Sequence, residues 1–439
     1  MPPRVTVVGT GHLGASHAAC MAELGFEVLG VDSNETLVDS LSRAAPTFYE
    51  PGLGSLLRRG LDSGRLSFTT SYRRAADFGD VHFICVGTPP STDSYRADLS
   101  YLNACLDSLA PLLARPCLVV GKSTVPVGTA AECARRLARS APAGDGAELA
   151  WNPEFLREGC AVRDTLTPDR IVAGVRSEQA EAILREIYAR PLADGTPFLV
   201  TDFATAELVK VAANAFLATK ISFINAMAEV CDVAAADVTV LAAALGHDAR
   251  IGNASLRPGL GFGGGCLPKD IRAFMAMADD LGVGESLAFL RAVDAINGRC
   301  RSRTVELARE LAGGSLAGRR VGVLGAAFKP DCDDIRDSPA LDVAAVIHRL
   351  GARVTVYDPE AMGNARCQHP ELEYADSAME SACDADVVLM LTEWQEFREA
   401  DPEIMAKVVA QRNVVDGRNA LDPERWRTAG WDYRALGRS

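Results

Sequence analysis

Between residues 5 and 14 the chain runs Val5-Thr-Val-Val8, then Gly9-x-Gly11-x-x-Gly14, then a helical stretch to Leu24. A β-branched strand that turns through glycines directly into a helix restricts the fold severely, because few turns that tight can be built. The turn also does something chemical. It brings the unpaired N–H groups of the helix N-terminus to a place where a pyrophosphate can approach the backbone. A second strand, Glu27 to Val31, ends at Asp32, 18 residues beyond Gly14. A carboxylate there can hold both hydroxyls of a ribose. The next residues are Ser33-Asn34-Glu35, with no Lys or Arg, so a 2′-phosphate would meet negative charge. These residues favour NAD over NADP.

Further strand-like runs are Val81–Val86, Cys117–Val120 and Ile171–Val175. Strands alternating with helices predict a parallel, doubly wound α/β sheet. The pattern then changes. From about Asp202 to Arg309 there is little β signal. Leu208, Ala212, Phe216, Leu217, Ile221, Ile224, Met227 and Ala228 recur at helical spacing in a segment running from Thr205 to Val233, with Asp202 or Thr205 as N-cap. A helix this long is expected to connect domains or build a dimer interface. After Gly313-Gly314 the β pattern returns in Val321–Gly325, Arg353–Asp358, Asp386–Leu391 and Val414-Val415. The expected division is therefore 1–200 (α/β, NAD-binding), 201–312 (helical) and 313–439 (α/β).

The 439 residues carry 58 acidic and 45 basic side chains, a net charge of −13. Without excess cation the chain is a poor binder of polyanions, so neither a nucleic acid nor an anionic membrane is expected as partner. No uninterrupted apolar run approaches the ~18 residues that span a bilayer, and the N-terminus does not read as a signal peptide. The twelve cysteines form no CxxC pair, and no metal site is expected. Most read as buried small hydrophobes of a reducing cytoplasm.

Cys266 differs from the rest. It lies in Gly261-Phe-Gly-Gly-Gly265-Cys266-Leu-Pro-Lys269-Asp270. The glycines allow backbone to pack against a ligand, and a nearby cation makes a thiol a better nucleophile. Lys210 and Asn214 are four apart on the long helix and project from one face. A lysine within an apolar helix needs a partner, and with the amide it could donate to an oxyanion. Glu154 and Glu158 are also four apart, a pair suited to water activation or ribose binding. A solvated lysine and ordinary surface carboxylates are the competing readings of both pairs.

Together these residues resemble the UDP-glucose dehydrogenase family, within the wider UDP-glucose/GDP-mannose dehydrogenases. Ten segments match in order: Gly9–Gly14, Phe48–Leu53, Val86–Pro90, Lys122–Gly128, Asn152–Gly159, Glu207–Asn214, Arg250–Asn253, Gly261–Asp270, Phe328–Pro339 and Asp416–Arg418. The resemblance implies two Rossmann-like doubly wound domains joined by a long central helix and a helical dimerisation region, so a cytoplasmic homodimer is expected. It implies NAD-dependent four-electron oxidation of UDP-glucose to UDP-glucuronate, through a cysteine thiohemiacetal and thioester.

Carried over residue by residue, Cys266 matches the nucleophile, and Lys210 and Asn214 match the groups that stabilise the oxyanions. Asp270, Thr124 and Glu154 match positions that hold or activate water. NAD contacts fall on Gly9, Gly11, Gly14, Asp32, Thr88, Thr124, Glu158, Lys269 and Arg336. Nucleotide-sugar contacts fall on Glu154, Phe155, Leu156, Arg157, Glu158, Lys210, Asn214, Arg250, Ser255, Leu256, Arg257, Pro258, Gly259, Gly263, Phe328, Lys329 and Arg418, with Arg250 reaching in from the neighbouring subunit. Two departures stand out. His12-Leu13 replaces a frequent Tyr-Val, and Thr36-Leu37 stands where many relatives carry a cation after Asp32. His12, His17 and His247 read as structural or solvated.

GDP-mannose dehydrogenases share the thiol and lysine, and Leu256-Arg-Pro-Gly259 also occurs among them. The Asn152–Ile171 stretch sides with the UDP-glucose branch, and UDP-N-acetylmannosamine dehydrogenases usually differ there and at the cysteine loop. A two-electron β-hydroxyacid dehydrogenase would need no Cys266 and would yield one NADH. A non-catalytic nucleotide-sugar sensor would bind without turnover.

Overall fold

The computed structural model describes residues 2–91 and 94–438. Two compact units are present, Met1–Ala213 with Arg272–Leu281, and Asn214–Ile271 with Gly282–Ser439.

The first unit is built on eight strands: β1 (Val5–Val8), β2 (Val28–Val31), β3 (Leu66–Thr69), β4 (Val81–Ile84), β5 (Cys117–Gly121), β6 (Ala147–Trp151), β7 (Ile171–Gly174) and β8 (Phe198–Thr201). Their order is β3-β2-β1-β4-β5-β6-β7-β8. All neighbours pair in parallel except β6 and β7, which meet antiparallel at Trp151 and Gly174, so the expected parallel sheet carries one reversal. β1, β2, β4, β5 and β7 are buried along their whole length, as a sheet covered on both faces requires. One covering element is α1 (His12–Glu23). Its Ala15, Ala18, Ala19 and Ala22 are small enough to let the helix lie close over Val5 and Val28. On the other face Leu102, Leu106, Val119, Leu137 and Trp151 form a second core.

Helix α2 (Phe203–Ala234) has 32 residues. Asp202 caps it, its Oδ1 accepting from Thr205 N at 2.8 Å and its Oδ2 from Thr205 Oγ1 at 2.9 Å. Polar side chains interrupt its apolar runs. Yet an 18-residue window of α2 averages a hydropathy of 1.3, and 44% of it is buried in the protein. By length and composition alone it is apolar enough to cross a membrane, although it contains no uninterrupted apolar run of the length sought in the sequence. A core helix passes the same test.

The second unit continues with α3 (Val238–Gly246), α4 (Leu267–Asp280, whose last turns belong to the first unit) and α5 (Phe289–Leu311). Ile224, Ala228, Val238, Ala242 and Leu256 close a small core there. Its sheet comprises β9 (Arg320–Leu324), β10 (Arg353–Tyr357), β11 (Glu373–Tyr374), β12 (Val387–Met390), β13 (Asn413–Asp416) and β14 (Asp432–Ala435), in the order β11-β10-β9-β12-β13-β14 and parallel throughout. Counted within the unit, that is the order 3-2-1-4-5-6 of a dinucleotide fold, and the first six strands of the first sheet follow it too. Val305 and Ala308 of α5 and Leu341 and Ala344 of α6 (Pro339–Arg349) pack on the second sheet.

Candidate active site

In the first unit, the carboxyl ends of β1, β4 and β5 bring several expected residues together where the strand order reverses, the usual ligand edge of such sheets. A Cβ built on Gly14 would lie 1.8 Å from the Gly9 carbonyl oxygen, so α1 can seat on the turn only with glycine there. A Cβ on Gly11 would meet no protein atom within 4 Å. No side chain caps α1, and no acidic residue occupies its first turn. Its N–H groups thus remain available to an anion. Asp32, at the end of β2, is half-buried. Its Oδ2 accepts from Thr10 N at 2.8 Å and its Oδ1 from Asn34 N at 3.0 Å. Thr88 Oγ1 donates to the Thr124 carbonyl at 2.7 Å, tying the loops after β4 and β5. A close-approach turn, a bare helix end and a carboxylate at the second strand fit a dinucleotide.

The Glu154–Gly159 segment follows β6. Glu154 Oε1 lies 3.0 Å from Lys210 Nζ, and its Oε2 accepts from Leu156 N at 2.6 Å. The buried Lys210 of α2 therefore has the partner its position demands. The Phe155 ring has two cations near it, Arg170 at 3.8 Å from the centroid and Lys210 at 5.8 Å. Arg157, an expected sugar contact, is bound through Nε and Nη2 to Asp164 at 2.8 and 2.7 Å. Glu158 is half-buried beside Gly159, whose N–H reaches Glu50 at 2.8 Å. Glu50 also accepts from Ala161 N at 2.8 Å and pairs with His12 Nε2 at 3.2 Å. His12 is thus structural, His17 is buried in the core, and His247 is exposed.

In the second unit, Asn214 of α2 donates through Nδ2 to Asp270 Oδ2 at 2.6 Å, and Lys269 Nζ pairs with Oδ1 of the same buried carboxylate. Lys210 and Asn214, expected to act as one donor pair, thus each engage a different carboxylate. Cys266 is exposed and caps α4, its carbonyl accepting from Asp270 N at 2.9 Å. A helix N-terminus favours the anionic form of a thiol. Cys160, only half-buried, also caps a helix, Ala161–Leu166, but several other cysteines contrast. Burial pushes the thiols of Cys20, Cys85, Cys105 and Cys300 up to about 12, and those of Cys117 and Cys133 to about 11. Cys367 and Cys383 are exposed, unlike the buried population expected, but neither caps a helix.

The glycines before Cys266 make room for protein groups. A Cβ on Gly264 would lie 2.7 Å from the Phe328 ring, one on Gly265 2.3 Å from the Arg336 guanidinium, and one on Gly263 2.3 Å from the Asp337 carbonyl. Arg336 is held by Asp334 at 2.8 Å through Nη2. Lys329 Nζ lies 5.7 Å from the Phe328 centroid. Arg418 differs from a free phosphate ligand: its partly buried guanidinium donates to the carbonyls of Leu391, Gly261 and Phe328 at 2.7, 2.9 and 3.0 Å. Arg250 is exposed and pairs with Asp248 at 2.6 Å. Ser255 is in the left-handed region at φ 63°, the Leu256 side chain is committed to the small core, Arg257 is exposed, and Pro258 and Gly259 are buried. Among the described residues no group of His, Cys, Asp and Glu could hold a metal ion.

Sequence reading gave no role to Asn225, Asn297, Arg301 or Glu207. Asn225 Oδ1 accepts from Gly259 N at 2.8 Å. Glu207 accepts from Gly128 N at 2.8 Å and Ala130 N at 2.5 Å, capping the helix Thr129–Ser140. Glu207 lies in a matched segment, which was the one available signal.

Comparison with known proteins agrees along the chain. Family models match at residues 3–192 (UDP-glucose/GDP-mannose dehydrogenase family, NAD binding domain), 204–299 (central domain) and 322–423 (UDP binding domain). The chain is 40% identical to the UDP-glucose 6-dehydrogenase of Rhizobium meliloti over 438 residues, 99% of each chain. A solved UDP-glucose dehydrogenase from Pyrobaculum islandicum superposes with a TM-score of 0.91 at 38% identity, covering 100% of this chain and 98% of that one. A UDP-D-ManNAc dehydrogenase from Pyrococcus horikoshii gives 0.85 at 27% identity, covering 99% of each.

Proposed function

The chain belongs to the UDP-glucose/GDP-mannose dehydrogenase family, and from that premise we propose that it oxidises C6 of UDP-glucose through a covalent intermediate on Cys266. It is an NAD-dependent oxidoreductase, converting UDP-glucose to UDP-glucuronate. The UDP-glucose assignment, ahead of an N-acetylated sugar, follows the higher identity to UDP-glucose dehydrogenases, 40% and 38% against 27%. NAD would be held by the glycine turn, the α1 N-terminus, Asp32, Thr88, Thr124 and Glu158, with Lys269 and Arg336, and supplies a hydride acceptor.

The chain's own residues do the rest. The C6 alcohol loses a hydride and a proton to give an aldehyde. The Cys266 thiolate adds to its carbonyl carbon, forming a C–S bond. Loss of a second hydride converts this thiohemiacetal to a thioester. Water then cleaves the C–S bond, releasing the acid and the thiol. Lys210 and Asn214 steady the oxyanions, and Glu154, Asp270 and Thr124 hold or relay protons for water. The uridine diphosphate is read by the Glu154–Glu158 segment, Ser255–Gly259, Gly263, Phe328, Lys329, Arg418 and a second subunit's Arg250. Residues 1–200, 201–312 and 313–439 divide these tasks as cofactor, dimerisation and nucleotide-sugar domains. The dimer is supported by an exposed apolar stripe, Phe216, Phe223 and Val230, at seven-residue intervals on α2. A cytoplasmic setting is supported by twelve cysteines, all free.

The exposed Cys266 at the N-terminus of α4 carries this reading. Its test is to supply UDP-glucose, GDP-mannose and UDP-N-acetylhexosamines with NAD or NADP, and to count reduced cofactor per sugar. Two NADH per UDP-glucose are expected. One NADH, or preference for another sugar, overturns it.

A further inference from the structure

Five of the seven residues in the Gly259–Gly265 loop are glycine, so the path that delivers Cys266 is fixed from outside the loop. The grip centres on one peptide. Phe262 N donates to Asn297 Oδ1 at 2.8 Å, and Asn297 Nδ2 donates to the Phe262 carbonyl at 2.9 Å. A single carboxamide on α5 thus does what a neighbouring β-strand would do. Asn297 is buried, and a Cβ on Gly261 (φ 92°) would lie 2.3 Å from its Oδ1. On either side, Asn225 holds Gly259 N, Arg418 holds the Gly261 carbonyl, and Arg301 Nη2 reaches the Phe262 carbonyl at 3.3 Å. Of these side chains, the asparagine is the one that serves both a donor and an acceptor of the loop.

We infer that Asn297 is a positioning residue for Cys266, acting through the Phe262 peptide to set where the loop presents the thiol at the start of α4. The inference rests on the reading of Cys266 as nucleophile. A loop freed at Phe262 lets the sulfur wander, and misplacement by about 1 Å at a reacting centre costs on the order of 100-fold. The uridine and phosphate contacts need not suffer with it.

The chemistry of the grip supplies its own control. Asn297→Asp has nearly the same shape. When ionised it sets a carboxylate oxygen against the Phe262 carbonyl. When protonated it restores a donor. Burial favours the protonated form, so the variant's deficit belongs to the alkaline side. Full-length wild type, Asn297→Asp, Asn297→Ala and Cys266→Ser would be compared for kcat and KM. The rate of Cys266 alkylation by iodoacetamide, without nucleotide, would be read by peptide mass spectrometry. At about pH 8, Asn297→Asp is expected to lose roughly 100-fold in kcat with KM within about 3-fold, and to alkylate more slowly. Both deficits should shrink relative to wild type at about pH 5.5. Wild-type behaviour at pH 8, a loss confined to KM, or a deficit independent of pH overturns the inference. If Asn297→Ala does not fold, the isosteric variant still decides. Wild-type acid production by Cys266→Ser would instead overturn the nucleophile reading. An inactive Cys266→Ser beside wild-type-like Asn297 variants would sink the positioning role alone.

Discussion

Replacing Asp358 by asparagine is expected to cost the second unit about 2–6 kcal/mol of stability. Asp358 directly follows β10, the place in the second sheet that Asp32 takes in the first, but it is buried. Its Oδ2 accepts from Ala326 N, Ala327 N and Trp394 Nε1 at 2.8, 3.0 and 3.0 Å, and its Oδ1 from Glu360 N and Ala361 N at 3.0 and 2.9 Å. An asparagine keeps one oxygen. Placed to keep the first three bonds, its NH2 confronts the other two N–H groups. Each donor left without an acceptor costs about 1–3 kcal/mol, which gives the total. That is a large share of the roughly 5–15 kcal/mol that stabilises a domain. Trp394, Trp426 and Trp431 lie in the second unit and Trp151 in the first, so tryptophan emission during urea unfolding reports mainly the affected unit. A change below about 1 kcal/mol would show that these N–H groups do not depend on the carboxylate. Asp32→Asn should behave differently. Asp32 is half-buried and water can replace its bonds, so its loss belongs in NAD affinity, read by titration calorimetry.

Three further outcomes are expected. Cys266→Ser should bind nucleotide sugar yet release no acid, because a hydroxyl lacks a thiolate's nucleophilicity; mass spectrometry of the products would falsify this if UDP-glucuronate formed at the wild-type rate. Burial, reinforced by Arg115, lowers the His82 imidazole from 6.5 to about 4. The native state thus resists protonation, so stability is full above about pH 6.5 and falls as pH drops toward 4, by up to roughly 3 kcal/mol. His82→Gln should flatten the drop in melting temperature between those values, and an unchanged slope would count against the assignment. Phe223→Lys should shift sedimentation toward the monomer; an unaltered profile would remove the α2 stripe from the interface.

Much of the fold was legible because buried parallel strands are β-branched. Val5–Val8, Val81–Ile84 and Cys117–Gly121 stand out for that reason. Ala147-Glu-Leu-Ala-Trp151 did not, since alanine and glutamate suit a helix as well. Phe198–Thr201 lies at the sheet edge with Leu199 and Val200 exposed, so no alternation marks it. At the site, Asp32, Lys210 and Cys266 were legible because a carboxylate after a strand, a lysine in an apolar helix and a cysteine among glycines are locally conspicuous. The pairing of Lys210 with Glu154, the clamp by Asn297 and the three carbonyls on Arg418 were not. Each joins residues far apart in the chain, and an asparagine buried on α5 looks locally like any other polar residue on a helix.

Gly11 and Gly14 belong to one motif but answer to different demands. A methyl group at 14 would strike the chain's own carbonyl, while one at 11 would touch nothing within 4 Å. A library of variants selected only for heat survival should therefore accept alanine at 11 and discard it at 14. One selected for dinucleotide capture should discard both. The spacing that reads as a single fingerprint thus records two separate selections, one imposed by folding and one by the molecule the fold receives.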